Sequence, residues 1–163
     1  MNYDHSRPYR LAGSGQWRAV VKALENVGLS PGPVFIDKAE SAPDSKGAYG
    51  LLLRMVQLVE IELREAGPFG PGLFVYCGSA NGPGGLHARL RRHFRATKTP
   101  RWHVDRLTVA AGAIAAVTVS GGHECRLVER LLRSSEFEIA IRGFGSSDCR
   151  TCESHLLRYR GQA

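Results

Sequence analysis

The segment that decides the fold spans residues 74–95 and reads FVYCGSANGPGGLHARLRRHFR. Its aromatic and β-branched start favours a strand over Leu73–Gly78, and its second half predicts a basic helix over Leu86–Arg95. The loop between them contains Gly82, Gly84 and Gly85. Glycine lets the backbone approach a ligand closely, and the first turn of a helix offers free N–H groups and a positive dipole end. The segment therefore predicts an anion-binding helix start that suits phosphate.

The composition indicates one ordinary domain that binds polyanions. The chain has 163 residues, which is enough to bury a core, and 22 Lys+Arg against 15 Asp+Glu give a formal net charge of +7. This balance favours nucleic acid as a partner. The chain has no apolar run of about 18 residues, and its first residues are polar. We therefore expect a soluble, cytoplasmic protein with no membrane partner.

Residues 1–46 differ in composition from the rest and are interpreted as an N-terminal extension. An amphipathic helix is predicted over Gln16–Leu29, because apolar residues recur there at helical spacing. The segment Ala39–Lys46 has the turn-rich composition of a linker. The predicted domain then covers residues 47–163.

The predicted domain belongs to the α+β class. Strands are expected at Ala48–Met55, Val56–Leu63, Leu73–Gly78 and within Ala110–Ser120, and a helix at His123–Arg133. This order predicts an antiparallel sheet of three or more strands that is flanked by helices.

Several short motifs together resemble a known superfamily. They are Gly47-Ala48-Tyr49, Tyr76-Cys77-Gly78, Arg101-Trp102-His103-Val104-Asp105, Glu124-Cys125 and the run from Gly143 to Cys149. In this order they are similar to the GIY-YIG nucleases, and more specifically to the Uri-type endonucleases, also called the DUF123 family. The resemblance covers Gly47 to Tyr159. Ala48 and Cys77 depart from the letters of the superfamily name, and both are plausible in strands.

The resemblance implies a GIY-YIG-like domain that acts as a metal-dependent endonuclease on DNA, or less readily on RNA. It implies that Tyr49 and Tyr76 flank the attacking water, that Arg89 stabilises the phosphate and that Glu124 binds Mg²⁺ or Mn²⁺. His93 or His103 would assist proton transfer. This chemistry is reasonable because phosphodiester hydrolysis builds negative charge, which a guanidinium and a hard cation stabilise.

The basic helix is consistent with this chemistry but also has a simpler explanation. Arg89, Arg92 and His93 share one face, while the opposite face is apolar. Such a face is often only solvated charge. The residues expected to follow the nucleic-acid backbone are Arg91, Arg92, Arg95, Lys98 and Arg101.

Glu124 is the most informative carboxylate, because it falls within the apolar stripe of its predicted helix. The alternative role is stabilisation of the helix dipole in the first turn. Glu129 lies at the edge of the stripe and is the second choice for a metal ligand. Tyrosines on strands are usually packing residues, so Tyr49 and Tyr76 are assigned to the site only through the resemblance.

The C-terminal pattern Cys149-x-x-Cys152-x-x-His155, with Cys125 as a fourth ligand, could form a structural zinc site. A single CxxC more often represents two free thiols, so zinc is the less favoured interpretation. Ser147, Asp148 and Ser154 indicate a turn or helix cap in the same stretch.

Two other functions remain open on the sequence. One is a nucleic-acid-binding module, or an accessory factor, that keeps the fold without catalysis. The other is an adaptor that zinc organises, which would unfold when a chelator removes the metal.

Overall fold

The fold is built on a six-stranded antiparallel sheet in the order β1-β4-β2-β3-β6-β5. A computed structural model of the protein describes residues 14–29, 34–36, 38–62 and 70–161. The strands are β1 (Phe35–Ile36), β2 (Gly47–Met55), β3 (Gly72–Ala80), β4 (Ala113–Ser120), β5 (Phe137–Ile139) and β6 (Leu156–Tyr159). With its helices, the sheet confirms the predicted α+β class.

Helices pack on both faces of the sheet. After a 3₁₀ turn at Ser14–Trp17, the helices are α1 (Arg18–Asn26), α2 (Gly85–Phe94), α3 (His103–Ala110) and α4 (Glu124–Leu132). One buried cluster joins α2 and α3 to Leu51 and Leu53 of β2, while the other joins α1 and α4 to Ala48 and Leu52. Alternate residues of a strand point to opposite faces, so β2 contributes to both clusters. None of the helices in the described part of the chain has the length and apolar composition of a membrane span.

The pairing of β2 with β3 positions the two tyrosines on one face. Tyr49 pairs with Gly78, and Leu51 pairs with Tyr76. Directly paired residues share a face, so Tyr49 and Tyr76 both point toward α2 and α3. A Cβ atom at Gly78 would overlap the hydroxyl and ring of Tyr49. Glycine at 78 therefore makes room for the Tyr49 ring.

The predicted elements agree with the structure where their patterns are long. Strands β2, β3 and β4 and helices α2 and α4 lie within about three residues of their predicted limits. The helix predicted over Gln16–Leu29 is α-helical only from Arg18 to Asn26. The strand predicted over Val56–Leu63 is wrong for residues 56–62, which contain one isolated bridge, and Leu63 lies outside the described residues. Val56 and Leu58 are exposed there, whereas Ile61 is buried and Val59 packs partly buried against the cluster of α2 and α3, so this run contacts the core without pairing as a strand of the sheet.

Residues of the predicted N-terminal extension take part in the sheet and its core. β1 pairs with β4, and Trp17, Val20 and Leu24 are buried in one cluster with Ala48 of β2. The first 13 residues of the extension lie outside the described part of the chain.

Candidate active-site cleft

A cleft of about 640 Å³ lies beside the ends of β2 and β3, between α2, α3, the start of α4 and the loop before β6. Six of the residues that the sequence assigned to catalysis or metal binding line it: Tyr49, Tyr76, Arg89, His93, His103 and Glu124. The chain brings them together from two strands, three helices and long intervals of sequence.

Tyr49 and His93 form a buried pair at the back of the cleft. The Tyr49 hydroxyl lies 2.8 Å from Nε2 of His93, and both side chains are almost completely buried. Burial, assisted by the nearby Lys98, lowers the pKa of His93 to about 3, while burial raises the pKa of Tyr49 well above its ordinary value. His93 is therefore neutral at physiological pH, so its unprotonated ring nitrogen can accept a hydrogen bond.

Arg89 lies at the mouth of the cleft against an exposed aromatic ring. The guanidinium carbons of Arg89 and Arg92 are each 4.6 Å from the centroid of the Trp102 ring. Trp102 is 42% exposed and lines the cleft. The sequence motif contained Trp102, but nothing in the sequence marked it as a partner of the two arginines, because that contact depends on how α2 and α3 pack.

Asp105 organises the loop between α2 and α3. Its buried Oδ2 accepts hydrogen bonds from Arg92 Nη2 at 2.6 Å and from the backbone N–H groups of Arg101 and Trp102 at 2.8 and 3.1 Å. Burial opposes ionisation of Asp105, but these donors outweigh it and keep its pKa below the ordinary value. Sequence reasoning missed this residue, since an aspartate in a first helical turn normally needs no tertiary partner.

The residues predicted to follow the nucleic-acid backbone divide into two groups. Arg92 is held by Asp105, and the Lys98 side chain is 3% exposed and its ammonium donates to the carbonyls of Arg92 and His93. The exposed residues are Arg91, Arg95 and Arg101, of which Arg101 lines the cleft.

The predicted anion site at the start of α2 is wrong. The N–H groups of Leu86 and His87 donate to the carbonyls of Ser45 and Pro43 at 3.0 and 2.9 Å. A Cβ atom at Gly85 would overlap the backbone of Asp44 and Ser45. Gly85 therefore admits another segment of this chain and not a phosphate, and the first N–H groups of the helix are already paired.

The Glu124 carboxylate lies in the cleft, and one of its two oxygens lacks a hydrogen-bond partner among the described residues. Its side chain is 18% exposed, and its buried Oε2 has no hydrogen-bond partner among the described residues. Nδ1 of His123 lies 3.5 Å away but accepts the N–H of Cys125, so it has no proton for Glu124. A cation would satisfy this oxygen.

Asp148 is a second carboxylate of the cleft, which the sequence had assigned to a turn or cap. Burial and the neighbouring Cys77, together with the charges of Glu124 and Asp148, raise the pKa of Tyr76 to about 12, against the opposing effect of Arg89. Both carboxylates therefore act on the same hydroxyl. Carboxylate oxygens are the ligands that Mg²⁺ and Mn²⁺ prefer, so the residues present fit such an ion.

Glu129 lies outside the cleft, and His103 lies on its solvent-exposed side. Glu129, the second choice for metal binding, is exposed outside the cleft and accepts a 2.6 Å hydrogen bond from Arg133. His103 is exposed at the start of α3 and packs on Phe144 with 5.9 Å between ring centroids, so it reaches the cleft from the solvent side.

The four candidate zinc ligands also come together, on the side of the cleft formed by α4 and the loop before β6. The ligand atoms of Cys125, Cys149, Cys152 and His155 all lie within 4.8 Å of one another. Only His155 of the four lines the cleft itself.

Comparison with known families tests the resemblance at this point. The family model described as a domain of unknown function, DUF123, matches residues 48–163. The chain belongs to the DUF123 family. The match begins inside β2, so the DUF123 region includes the whole cleft and the Cys-His cluster but not α1 or β1. No curated protein and no solved structure matches the chain.

The DUF123 cleft combines groups that suit the chemistry of a phosphate ester. Arg89 supplies a fixed positive charge, Glu124 and Asp148 supply oxygen ligands, and the Tyr49–His93 pair supplies a buried hydrogen bond that fixes the tyrosine hydroxyl.

Proposed function

We propose that this protein is a metal-dependent endonuclease of the GIY-YIG type, in its Uri-type branch, that hydrolyses phosphodiester bonds in DNA in preference to RNA. We place it in the cytoplasm. The observation that carries the proposal is the convergence of Arg89, Glu124, Tyr76 and the Tyr49–His93 pair on one cleft. Each type of group has a defined task in phosphodiester hydrolysis, and the sequence motifs of the nuclease superfamily supply the same residues.

The Tyr49–His93 pair would position the attacking water. Nε2 of neutral His93 would accept a hydrogen bond from the Tyr49 hydroxyl, whose oxygen would accept one from the water. The lowered pKa of His93 and the raised pKa of Tyr49 disfavour full proton transfer to this pair, so a divalent ion would be needed to make the water more acidic. Tyr76, held edge-on against Phe144 with 6.0 Å between ring centroids, would orient the water from the second strand.

Arg89 and Glu124 would stabilise the charge that develops on the phosphate. The Arg89 guanidinium faces the same cleft, and the Trp102 ring limits the directions in which it can move. Glu124, with Asp148, would hold Mg²⁺ or Mn²⁺, which acts as a Lewis acid on phosphate oxygens when bound. His103 would donate a proton from the solvent side.

The surroundings of the cleft support nucleic acid as the substrate. Arg101 and Arg106 line the cleft and are exposed, as is Trp102 between them. An exposed aromatic ring among cations is a platform on which an unpaired base can stack. The net charge of +7 adds attraction to any polyanion.

The test is cleavage of end-labelled DNA and RNA in single-stranded, duplex and branched forms, with Mg²⁺, Mn²⁺ or EDTA. We expect cutting of at least one DNA form that requires the divalent ion and stops in EDTA. Cutting that persists in EDTA, or that is absent on every substrate with either ion, would contradict the proposal.

A second candidate is a nucleic-acid-binding module or accessory factor without catalysis. The observation in its favour is that Tyr49 is 3% exposed and Tyr76 has a raised pKa, as packing tyrosines do. This candidate predicts salt-sensitive binding to the same substrates with no cleavage in either ion. The cleavage panel therefore separates the two functions.

A further inference from the structure

We propose that Cys125, Cys149, Cys152 and His155 together bind one structural Zn²⁺ ion, which joins the start of α4 to the loop between β5 and β6. This assignment reverses the preference for free thiols that the sequence alone suggested. It is independent of the proposed nuclease function, because it concerns how one wall of the cleft is held together.

The separations of the four ligand atoms match those of a tetrahedral site. Zn–S bonds of about 2.3 Å place two thiolates of a tetrahedron about 3.8 Å apart. Sγ of Cys125 lies 3.5 Å from Sγ of Cys149 and 4.0 Å from Nε2 of His155. All four ligand atoms lie within 4.8 Å of one another, so small side-chain movements would bring each to bonding distance of one ion.

The ligand types and their backbone support also indicate zinc. Three thiols and one imidazole are a known combination for closed structural zinc sites. Sγ of Cys149 accepts a hydrogen bond from the backbone N–H of Cys152 at 3.3 Å. Such a donor stabilises negative charge on the sulfur, and negative thiolates are what the metal binds. The fourth cysteine, Cys77, is buried within β3 and is not a member of the group.

The loop that contributes three of the ligands has little regular structure to hold it. Residues 142–155 contain no helix or strand, and their order rests on a few bonds, such as Gly143 N–H to Glu153 O at 2.7 Å and His155 N–H to Phe144 O at 2.8 Å. Cys125 is 24 residues before Cys149. A metal at this point would therefore tie α4 to the loop.

This tie would set the position of both carboxylates of the cleft. Glu124 is the neighbour of Cys125, and Asp148 is the neighbour of Cys149. His155 is buried and lines the cleft from behind, against Gly145, whose Cβ would lie 2.8 Å from the Tyr76 ring. With four protein ligands the ion has no open position, so its role is structural and not catalytic.

The first test is metal analysis of the full chain, purified without added metal, by mass spectrometry. We expect about one zinc per chain in the wild type and less than about half a zinc per chain in Cys152→Ser and His155→Gln. Cys77→Ala is the matched control, because it removes a thiol outside the group, and it should keep its zinc. Folded wild-type chain that holds no zinc, or that holds iron instead, would overturn the proposal, as would a Cys77→Ala variant that loses zinc as completely as Cys152→Ser.

A second measurement tests the zinc site in the wild-type chain if the variants do not fold. Alkylation of wild-type chain should leave Cys125, Cys149 and Cys152 unmodified until a chelator is added, and the same chelator should lower the unfolding temperature until Zn²⁺ is restored. Immediate modification of these thiols, or a Cys125–Cys149 disulfide found in the non-reduced protein, would overturn the zinc site.

Discussion

At the scale of the residue, the burial of His93 beside Tyr49 makes the free energy of unfolding depend on pH. Because the pKa of His93 is lowered from 6.5 to about 3, the native chain does not bind the proton that the unfolded chain binds between these values. We expect the free energy of unfolding to be unaffected by His93 above pH 6.5. Below it, this residue should lower stability by up to about 1.4 kcal/mol per pH unit.

The variant His93→Gln isolates this effect, because its amide can still bond to Tyr49 but does not titrate. Urea unfolding between pH 7 and 4 should show a smaller loss of stability in His93→Gln than in the wild type. The range ends at pH 4, because the lowered pKa of Asp105 makes that residue contribute a loss only below about 3.8. Parallel slopes in the two proteins would mean that His93 is not buried in the neutral form.

The sequence identified most cleft residues through the family resemblance and Glu124 also through its local pattern, and it missed those defined by tertiary contact. Glu124 was recognised because a carboxylate interrupted an apolar stripe, and the structure places its Oε2 in the cleft without a hydrogen-bond partner among the described residues. Asp105 and Trp102 carry no such local signal. Their importance comes from Arg92 and Arg89, which approach from another helix.

At the scale of the element, the packing of Tyr49 of β2 across β3 depends on the absence of a side chain at Gly78. We expect Gly78→Ala to lower the free energy of unfolding by about 2 kcal/mol or more, because the new methyl group overlaps the Tyr49 ring. Gly82→Ala is the matched control in the following loop, where a Cβ would meet nothing within 4 Å, so its effect should stay within about 0.5 kcal/mol. Urea denaturation measures both, and equal small effects would show that Tyr49 is not packed over Gly78.

The longer strands were predicted from their local pattern, whereas the short strands β1, β5 and β6 and the eight-residue helix α3 were missed. β2 and β4 have nine and eight residues, whereas the missed β5 and β6 have three and four. The short strands exist because β6 pairs with β3 and β5 pairs with β6 across long stretches of chain, which no local window contains. The start of α2 was misassigned for a related reason, since its donors are satisfied by residues 43–45.

At the scale of the whole molecule, the N-terminal segment is expected to contribute to stability. Trp17, Val20 and Leu24 are 1–2% exposed and pack with β2. A chain that begins at Lys38 should therefore unfold at a clearly lower urea concentration than the full chain, because it loses these contacts and β1.

A single substitution shows whether lost packing, and not only the shorter chain, lowers the stability of the truncated protein. In the full chain, Trp17→Ala should cost about 3–5 kcal/mol. Lys22→Ala on the same helix should be nearly neutral, since the Lys22 side chain is 69% exposed. If the truncated chain and Trp17→Ala both unfold at the wild-type midpoint, residues 1–46 are an independent extension, as the sequence alone suggested.

The roles of Arg89 and Glu124 can be measured by single-turnover cleavage of the preferred DNA by wild type, Arg89→Ala, Glu124→Gln and Glu129→Gln with Mg²⁺. We expect Arg89→Ala and Glu124→Gln to lower the rate by about 100-fold or more, because each removes charge stabilisation in the transition state. Glu124→Gln should still bind the DNA, and Glu129→Gln should cleave at the wild-type rate because its carboxylate lies outside the cleft. Wild-type cleavage by Glu124→Gln, or an equal loss in Glu129→Gln, would contradict the assignment of this cleft as a metal-dependent nuclease site.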